Sequence, residues 1–383
     1  MQTLVRTLGL PVPTSYDHLE LHKDGREALT SLLSVIDSAY VTLDVCTFIL
    51  ARDVLGYEII DRLALRAKHG VKVRVMIDGV GRYLDGHPDL SPLKKAGVEV
   101  AMFISPWIFP FSGKANLRNH RKMAIADGVR VWMGGRNLAA EYFQGDAFVR
   151  PKQHAWIDLT FCLQGPVAGQ AKQQFERDWN FTTRRQQVHS QAPTPASPMA
   201  NSGGERSVVQ LVPSGPDQQE DTIYALLVSG CFAARTRILA VSPYFVPDAT
   251  LQMAFSLAAR RGVKVDLLLP SKSNHRLADI ARSASLRELS ASGVRIWLLP
   301  KMIHAKAVVI DNEFALAGSA NLDERSLFLN YEIMAAFYNS VDIEHFARWI
   351  ELNRRGATLH EPRRPGIARA FSEGLVRWVA FQL

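Results

Sequence analysis

Cysteine is scarce in this chain of 383 residues: Cys46, Cys162 and Cys231 are the three, each in an apolar stretch and none in a Cys-x-x-Cys spacing. A disulfide framework and a zinc knuckle are therefore not indicated, and a reducing, cytoplasmic compartment is expected. Long hydrophobic runs are also missing. No stretch reaches the roughly 18 to 20 uninterrupted apolar residues that a spanning helix needs, and Met1 to Leu21, broken by Pro11, Pro13, Asp17 and His18, reads as neither a signal peptide nor a span. Any membrane contact is expected to be peripheral. Acidic residues are in deficit, 37 against 45 lysines and arginines, and the net charge of +8 suits a polyanionic partner, either nucleic acid or an anionic lipid surface. With 47% hydrophobic and 21% charged residues, wholesale disorder is excluded.

What is present is alternation. Gly25 to Ser38 carries Ala28, Leu29, Leu32, Leu33 and Ile36 at helical spacing, and Tyr40 to Leu50 is a β-branched and aromatic run. A helix over Leu55 to His69, a strand over Val71 to Ile77 and a short helix with strand through Leu93 to Phe103 follow. The order returns downstream: helix Asp221 to Ala234, strand Arg237 to Tyr244, helix Thr250 to Arg261, strand Val263 to Leu269, then Leu286 to Leu299. This predicts an α/β chain of two tandem domains related by a pseudo-twofold axis, each a mixed sheet with helices on both faces. The expected boundaries are 1–183, a Pro/Ser/Gly-rich linker 184–206, a second domain 207–356 and a tail 357–383.

The chemistry lies in a duplication. His120-Arg-Lys122-Met-Ala-Ile-Ala-Asp127, closed by Gly134-Gly135-Arg-Asn137, returns as His304-Ala-Lys306-Ala-Val-Val-Ile-Asp311, closed by Gly318-Ser319-Ala-Asn321, always 184 positions on. In-register retention of His, Lys and Asn in both copies points to one active site shared by both halves. Each His-x-Lys pair is expected to alternate along a short strand, with both side chains on one face. Two imidazoles, two ammonium groups and two carboxamides around one pocket suit a phosphodiester. Lys122 and Lys306 would supply positive charge, Asn137, Asn321 and Ser319 would bind phosphate oxygens, and one imidazole would attack phosphorus while the other protonates the leaving alkoxide. A covalent phosphohistidine follows. Asp158 and Glu332, each opening an apolar strand, are expected to orient the histidines, whereas Asp127 and Asp311 complete each motif in a structural role at a turn. No metal is expected, because His-x-Lys sets a repelling cation beside a lone ligand. His18, His22, His69, His87 and His345 are read as surface groups.

Two segments suggest lipid contact. Trp107, Ile108, Phe109 and Phe111 lie in an insertion between Gly97 and His120 that the second copy lacks, and two prolines forbid a regular helix there. From Gly366 onward, Phe371, Leu375 and Trp378 belong to a basic amphipathic segment that could lie in a membrane interface or dock on its own domain.

The duplicated motif resembles that of the phospholipase D superfamily, His-x-Lys-x4-Asp followed by Gly-Gly or Gly-Ser, one residue and Asn. Within it the chain is most similar to bacterial cardiolipin synthases of the short form without membrane helices, through Asn119-His-Arg-Lys122, Gly134 to Tyr142, Trp156-Ile-Asp158, Ser242 to Asp248 and Gly318 to Glu332. The resemblance implies two phospholipase D-like domains and transfer of a phosphatidyl group between phospholipids, phosphatidylglycerol foremost. It also implies no cofactor, an anionic membrane surface on the inner face of the cell membrane as partner, and no nucleic acid. By the family pattern His120 would be the nucleophile and His304 the acid and base. A hydrolase, a nuclease or other phosphodiesterase of the same superfamily, and a binding protein with a decayed site are the competing classes. Stacked aromatics between basic residues would favour the nuclease, and two intact motifs argue against decay.

Overall fold

The structure, a computed structural model, describes residues 9–84, 86–104, 116–143, 155–184, 207–218 and 220–362. The apolar insertion with Trp107, Ile108, Phe109 and Phe111, the linker beyond Arg184 and the segment with Phe371, Leu375 and Trp378 lie outside them.

Several helices form where the sequence supplies both a cap and a stripe. Asp24 accepts the amides of Arg26 and Glu27 and starts Gly25–Ser38, which buries Leu32, Val35 and Ile36. Asp53 caps Val54–Lys68 through Gly56, and Asp248 caps Ala249–Arg260. The strands between them are buried on both faces, so they read as continuous apolar runs.

Two mixed sheets result. The first runs His18–Leu21, Thr160–Gln164, Arg130–Gly134, Met123–Ala126, Thr42–Thr47, Lys72–Asp78, Glu99–Phe103. The second runs Val208–Ser214, Glu332–Phe337, Phe314–Gly318, Ala307–Ile310, Arg237–Val241, Lys264–Pro270, Arg295–Leu299, with the same alternation of antiparallel pairs followed by two parallel ones. The expected twofold repeat is thus present strand for strand. Outer helices cover one face of each sheet, and both inner faces share one core around Pro166–Thr183 and Ser340–Arg354, where Phe175, Trp179, Phe346 and Ile350 are buried.

Three details differ from expectation. Thr14–Ser15 crosses to pair with Val208 and Val209, and Thr358–Leu359 pairs with Trp297 and Leu298, so both flanks of the chain extend the second sheet. Each His-x-Lys lies before its strand, in extended backbone that pairs with the other half: His120 N donates to Tyr331 O (2.9 Å) and His304 N to Ile157 O (2.6 Å). Lastly, His22 is no surface group. It is fully buried against Thr160 Oγ1 (3.0 Å), and burial pushes its imidazole down to about 3.

Candidate active site

The two hairpins that follow the histidines are turned by Asp127 and Asp311, both at positive φ (55° and 50°), a conformation that short polar side chains tolerate. Their carboxylates look away from the site. Asp127 accepts the amides of Tyr40, Val41 and Thr42 at 2.7–2.8 Å, and Asp311 those of Arg235, Thr236 and Arg237 at 2.8 Å. Each therefore ties a motif to the start of the central strand beside it.

The backbone pairs between halves bring the carboxylates across. Tyr331 and Ile157, which receive the histidine amides, immediately precede Glu332 and Asp158. His120 Nδ1 meets Glu332 Oε1 at 2.9 Å, and His304 Nδ1 meets Asp158 Oδ2 at 2.7 Å. Each half thus holds the other half's histidine. Because a carboxylate only accepts, Nδ1 carries the proton in both rings, and in His120 this leaves Nε2 for chemistry.

Packing fixes both pairs. Gly134 sits at φ 148°, where a Cβ would lie 2.4 Å from Leu159 O; at Gly135 a Cβ would lie 2.3 Å from Asp158 Oδ1. Only glycine leaves Asp158 its place. In the second half the equivalent position is Ser319, whose hydroxyl donates to Glu332 Oε2 at 2.5 Å and accepts from Ile333 N at 2.9 Å. Expected at the phosphate, Ser319 is instead fully buried behind Glu332.

Both lysines are sealed from solvent, and each ammonium donates to the carbonyl of its own motif histidine. Burial lowers Lys122 to about 7 and Lys306 to about 8. Lys306 Nζ also lies 2.7 Å from Nδ1 and 3.0 Å from Nε2 of His304. Burial and that ammonium push His304 down to about 3 against the pull of Asp158. His120 is likewise lowered, by burial first, with Glu332 opposing. Burial would raise Asp158, but His304, Lys306 and Arg136 outweigh it and leave the carboxyl at about 2. Glu332 is lowered in the same way: His120 and Lys122 overcome its burial. The site therefore holds ionised carboxylates, neutral imidazoles and its labile protons on the lysines.

His120, His304, Asn137 and Asn321 wall one cavity of about 180 Å³. Asn137 donates to Tyr142 Oη at 2.8 Å and accepts from Ile49 N at 3.3 Å. Rings frame the histidines: Phe48 stands edge-on to His120 with centroids 5.0 Å apart, while Tyr142 and Trp156 lie 5.0 and 5.7 Å from His304. The turn carrying Tyr142 is pinned by Asp53, which caps its helix with one oxygen and takes Ala140 N with the other at 2.7 Å. Phe48, Arg118, Tyr142, Tyr244, Asp323 and Arg325 also reach the cavity, and motif reasoning gave none of them a role. Tyr142, Tyr244, Asp323 and Arg325 lie within the sequence segments that carry the family resemblance, which was the one signal available.

An arrangement of two oriented imidazoles with paired buried cations can hold a phosphodiester and serve both its ends. The family described as "Cardiolipin synthase, PLD-like domain" matches residues 32–179 and 232–353. Cardiolipin synthase A of Pseudomonas aeruginosa is 33% identical over 352 residues, covering 92% of this chain and 69% of that protein. The major cardiolipin synthase ClsA of Bacillus subtilis is 32% identical over 332 residues, 85% of this chain and 66% of that protein. Among solved structures, phosphatidylserine synthase of Haemophilus influenzae superposes with a TM-score of 0.72 at 13% identity, covering 100% of this chain and 99% of that one, a likeness of fold.

Proposed function

The chain belongs to the cardiolipin synthase family of phospholipase D-like proteins, and on that footing we propose that it is a phosphatidyltransferase making cardiolipin from phosphatidylglycerol and a second hydroxyl-bearing phospholipid. The observation that carries this reading is the crossed pairing of His120 with Glu332 and His304 with Asp158 around one cavity.

In this reading His120 Nε2 attacks the donor phosphorus, and the phosphorus–oxygen bond to glycerol breaks with its electron pair on oxygen. His304 protonates that alkoxide. The incoming phosphodiester anion offsets the lysine charge that depresses His304, so the imidazole gains its proton, from the pool held on Lys306, as substrate enters. The acceptor hydroxyl then attacks phosphorus, the phosphorus–nitrogen bond to His120 breaks, and neutral His304 takes the hydroxyl proton. His120 is favoured as nucleophile because Lys306 occupies His304 Nε2, whereas His120 Nε2 has no hydrogen-bond partner among the described residues. Lys122 and Lys306 would offset charge at the phosphate, which supports a reaction without metal.

An anionic membrane surface is the proposed partner, with attachment at the inner face of the cell membrane. No described helix is long and apolar enough to cross a membrane. Leu84 from the first half, which is exposed, and Ala278 from the second line the cavity, and Tyr83, Leu277 and Ile280, near them in sequence, are exposed as well. Such a rim suits acyl chains.

The test is purified protein in mixed vesicles with labelled phosphatidylglycerol, with and without chelator. Cardiolipin formed equally in both is expected. Phosphatidic acid alone would make the protein a hydrolase, and cleavage of DNA without lipid turnover would make it a nuclease.

A further inference from the structure

The motif histidines, lysines and asparagines obey the 184-residue register, but two cations on the cavity wall break it. Arg118 lies two residues before His120, and Arg325 four residues after Asn321. Their register partners are Met302 and Glu141, so the guanidinium pair has no twofold copy.

The pair is built from both halves. Arg325 Nη2 donates to Asn116 O (3.0 Å), reaching from the second half to the segment that carries Arg118. Tyr331 N binds Arg118 O (2.8 Å), and Arg118 Nη1 bonds Leu117 O (2.7 Å). Burial, together with Arg325, lowers the Arg118 guanidinium against the pull of Asp78. Both arginines therefore reach one cavity wall, where a phosphate can accept charge-assisted hydrogen bonds from them.

A phosphate on the pseudo-twofold axis is served by the duplicated groups. Arginines that the register does not duplicate suit a second anion beside the one that the duplicated groups serve. Building on the transferase reading, we propose that Arg118 and Arg325 bind the acceptor phospholipid through its own phosphate. A phosphatidylglycerol acceptor carries that phosphate one glycerol unit from its attacking hydroxyl. Water and simple alcohols have no such group, so the pair selects a lipid acceptor over hydrolysis. As the acceptor oxygen bonds to phosphorus, the phosphorus–nitrogen bond to His120 breaks and the hydroxyl proton passes to His304.

The experiment sets two acceptors against each other: vesicles of labelled phosphatidylglycerol in buffer containing ethanol, with cardiolipin and phosphatidylethanol measured together. Arg118→Gln and Arg325→Gln should each lower the ratio of cardiolipin to phosphatidylethanol by roughly tenfold, the worth of a charge-assisted hydrogen bond. Arg118→Lys and Arg325→Lys should recover part of it. An unchanged ratio with both products falling together overturns the proposal, since the arginines then serve the donor or the fold. A second arm uses the unaltered protein, so no variant need fold. Soluble glycerol 3-phosphate should accept the phosphatidyl group roughly tenfold better than glycerol, and equal use of the two overturns the proposal. A protein that makes phosphatidylethanol but no cardiolipin keeps its phosphatidyl chemistry and loses this inference. One that makes neither loses the transferase reading, and the inference with it.

Discussion

His304 lies between a carboxylate and an ammonium, and burial lets the ammonium win: its imidazole is lowered to about 3 while Lys306 is lowered only to about 8. The free site thus keeps its protons on lysine, with Lys122 at about 7. Because kcat/KM reports the free enzyme, it should stay level on the acid side and fall as pH rises through about 7 to 8, where the lysines lose charge. An acid limb near the ordinary histidine value of about 6.5 would contradict this. Asp158→Asn and Glu332→Gln keep the shape but lose the charge that fixes each ring, so kcat should fall by about 10² to 10⁴, with circular dichroism unchanged. The in-register duplication made the histidines, lysines and asparagines readable as a set. Which half's carboxylate meets which histidine was not readable, since the contact spans 146 residues in one case and 212 in the other. Arg118, Arg325 and Phe48 escaped for a similar reason: their direction depends on how the halves assemble.

Among the elements, the hairpins do the positioning. Asp127→Ala removes the acceptor of three backbone N–H groups and puts a β-carbon residue other than Asx at positive φ, which should cost about 2–4 kcal/mol. Urea unfolding would show this, with kcat of the folded protein falling far less than in His120→Ala; the reverse pattern would give Asp127 a chemical role. Gly135→Ala should act through its neighbour, driving Asp158 off His304 and losing activity as Asp158→Asn does. Full activity in that variant would mean that Asp158 can shift without consequence. Helices and buried strands were legible because caps and apolar runs repeat along the chain. Thr14–Ser15 and Thr358–Leu359 were not, as two residues carry no periodicity and their pairing is set by distant partners. The His-x-Lys segments read as strand because extended backbone alternates in the same way, although their hydrogen bonds go to the other half.

For the whole molecule, neither half holds a complete site. Arg121, which the second copy replaces with Ala305, strengthens the joint: it binds Asp178 in its own half and the carbonyls of Ser214 and Glu332 in the other. Residues 1–184 or 207–383 produced alone should therefore be inactive, and coexpression should restore turnover; activity in one half alone would refute the shared site. The central claim is a phosphatidyl group carried on one histidine and handed over by the other. It is tested most directly by rapid quenching with 32P-phosphatidylglycerol, followed by a chase with unlabelled phosphatidylglycerol. The account predicts acid-labile, base-stable label on His120 that the chase converts to cardiolipin and that His120→Ala abolishes. Cardiolipin accumulating with no label on the protein, or label surviving in His120→Ala, would contradict it.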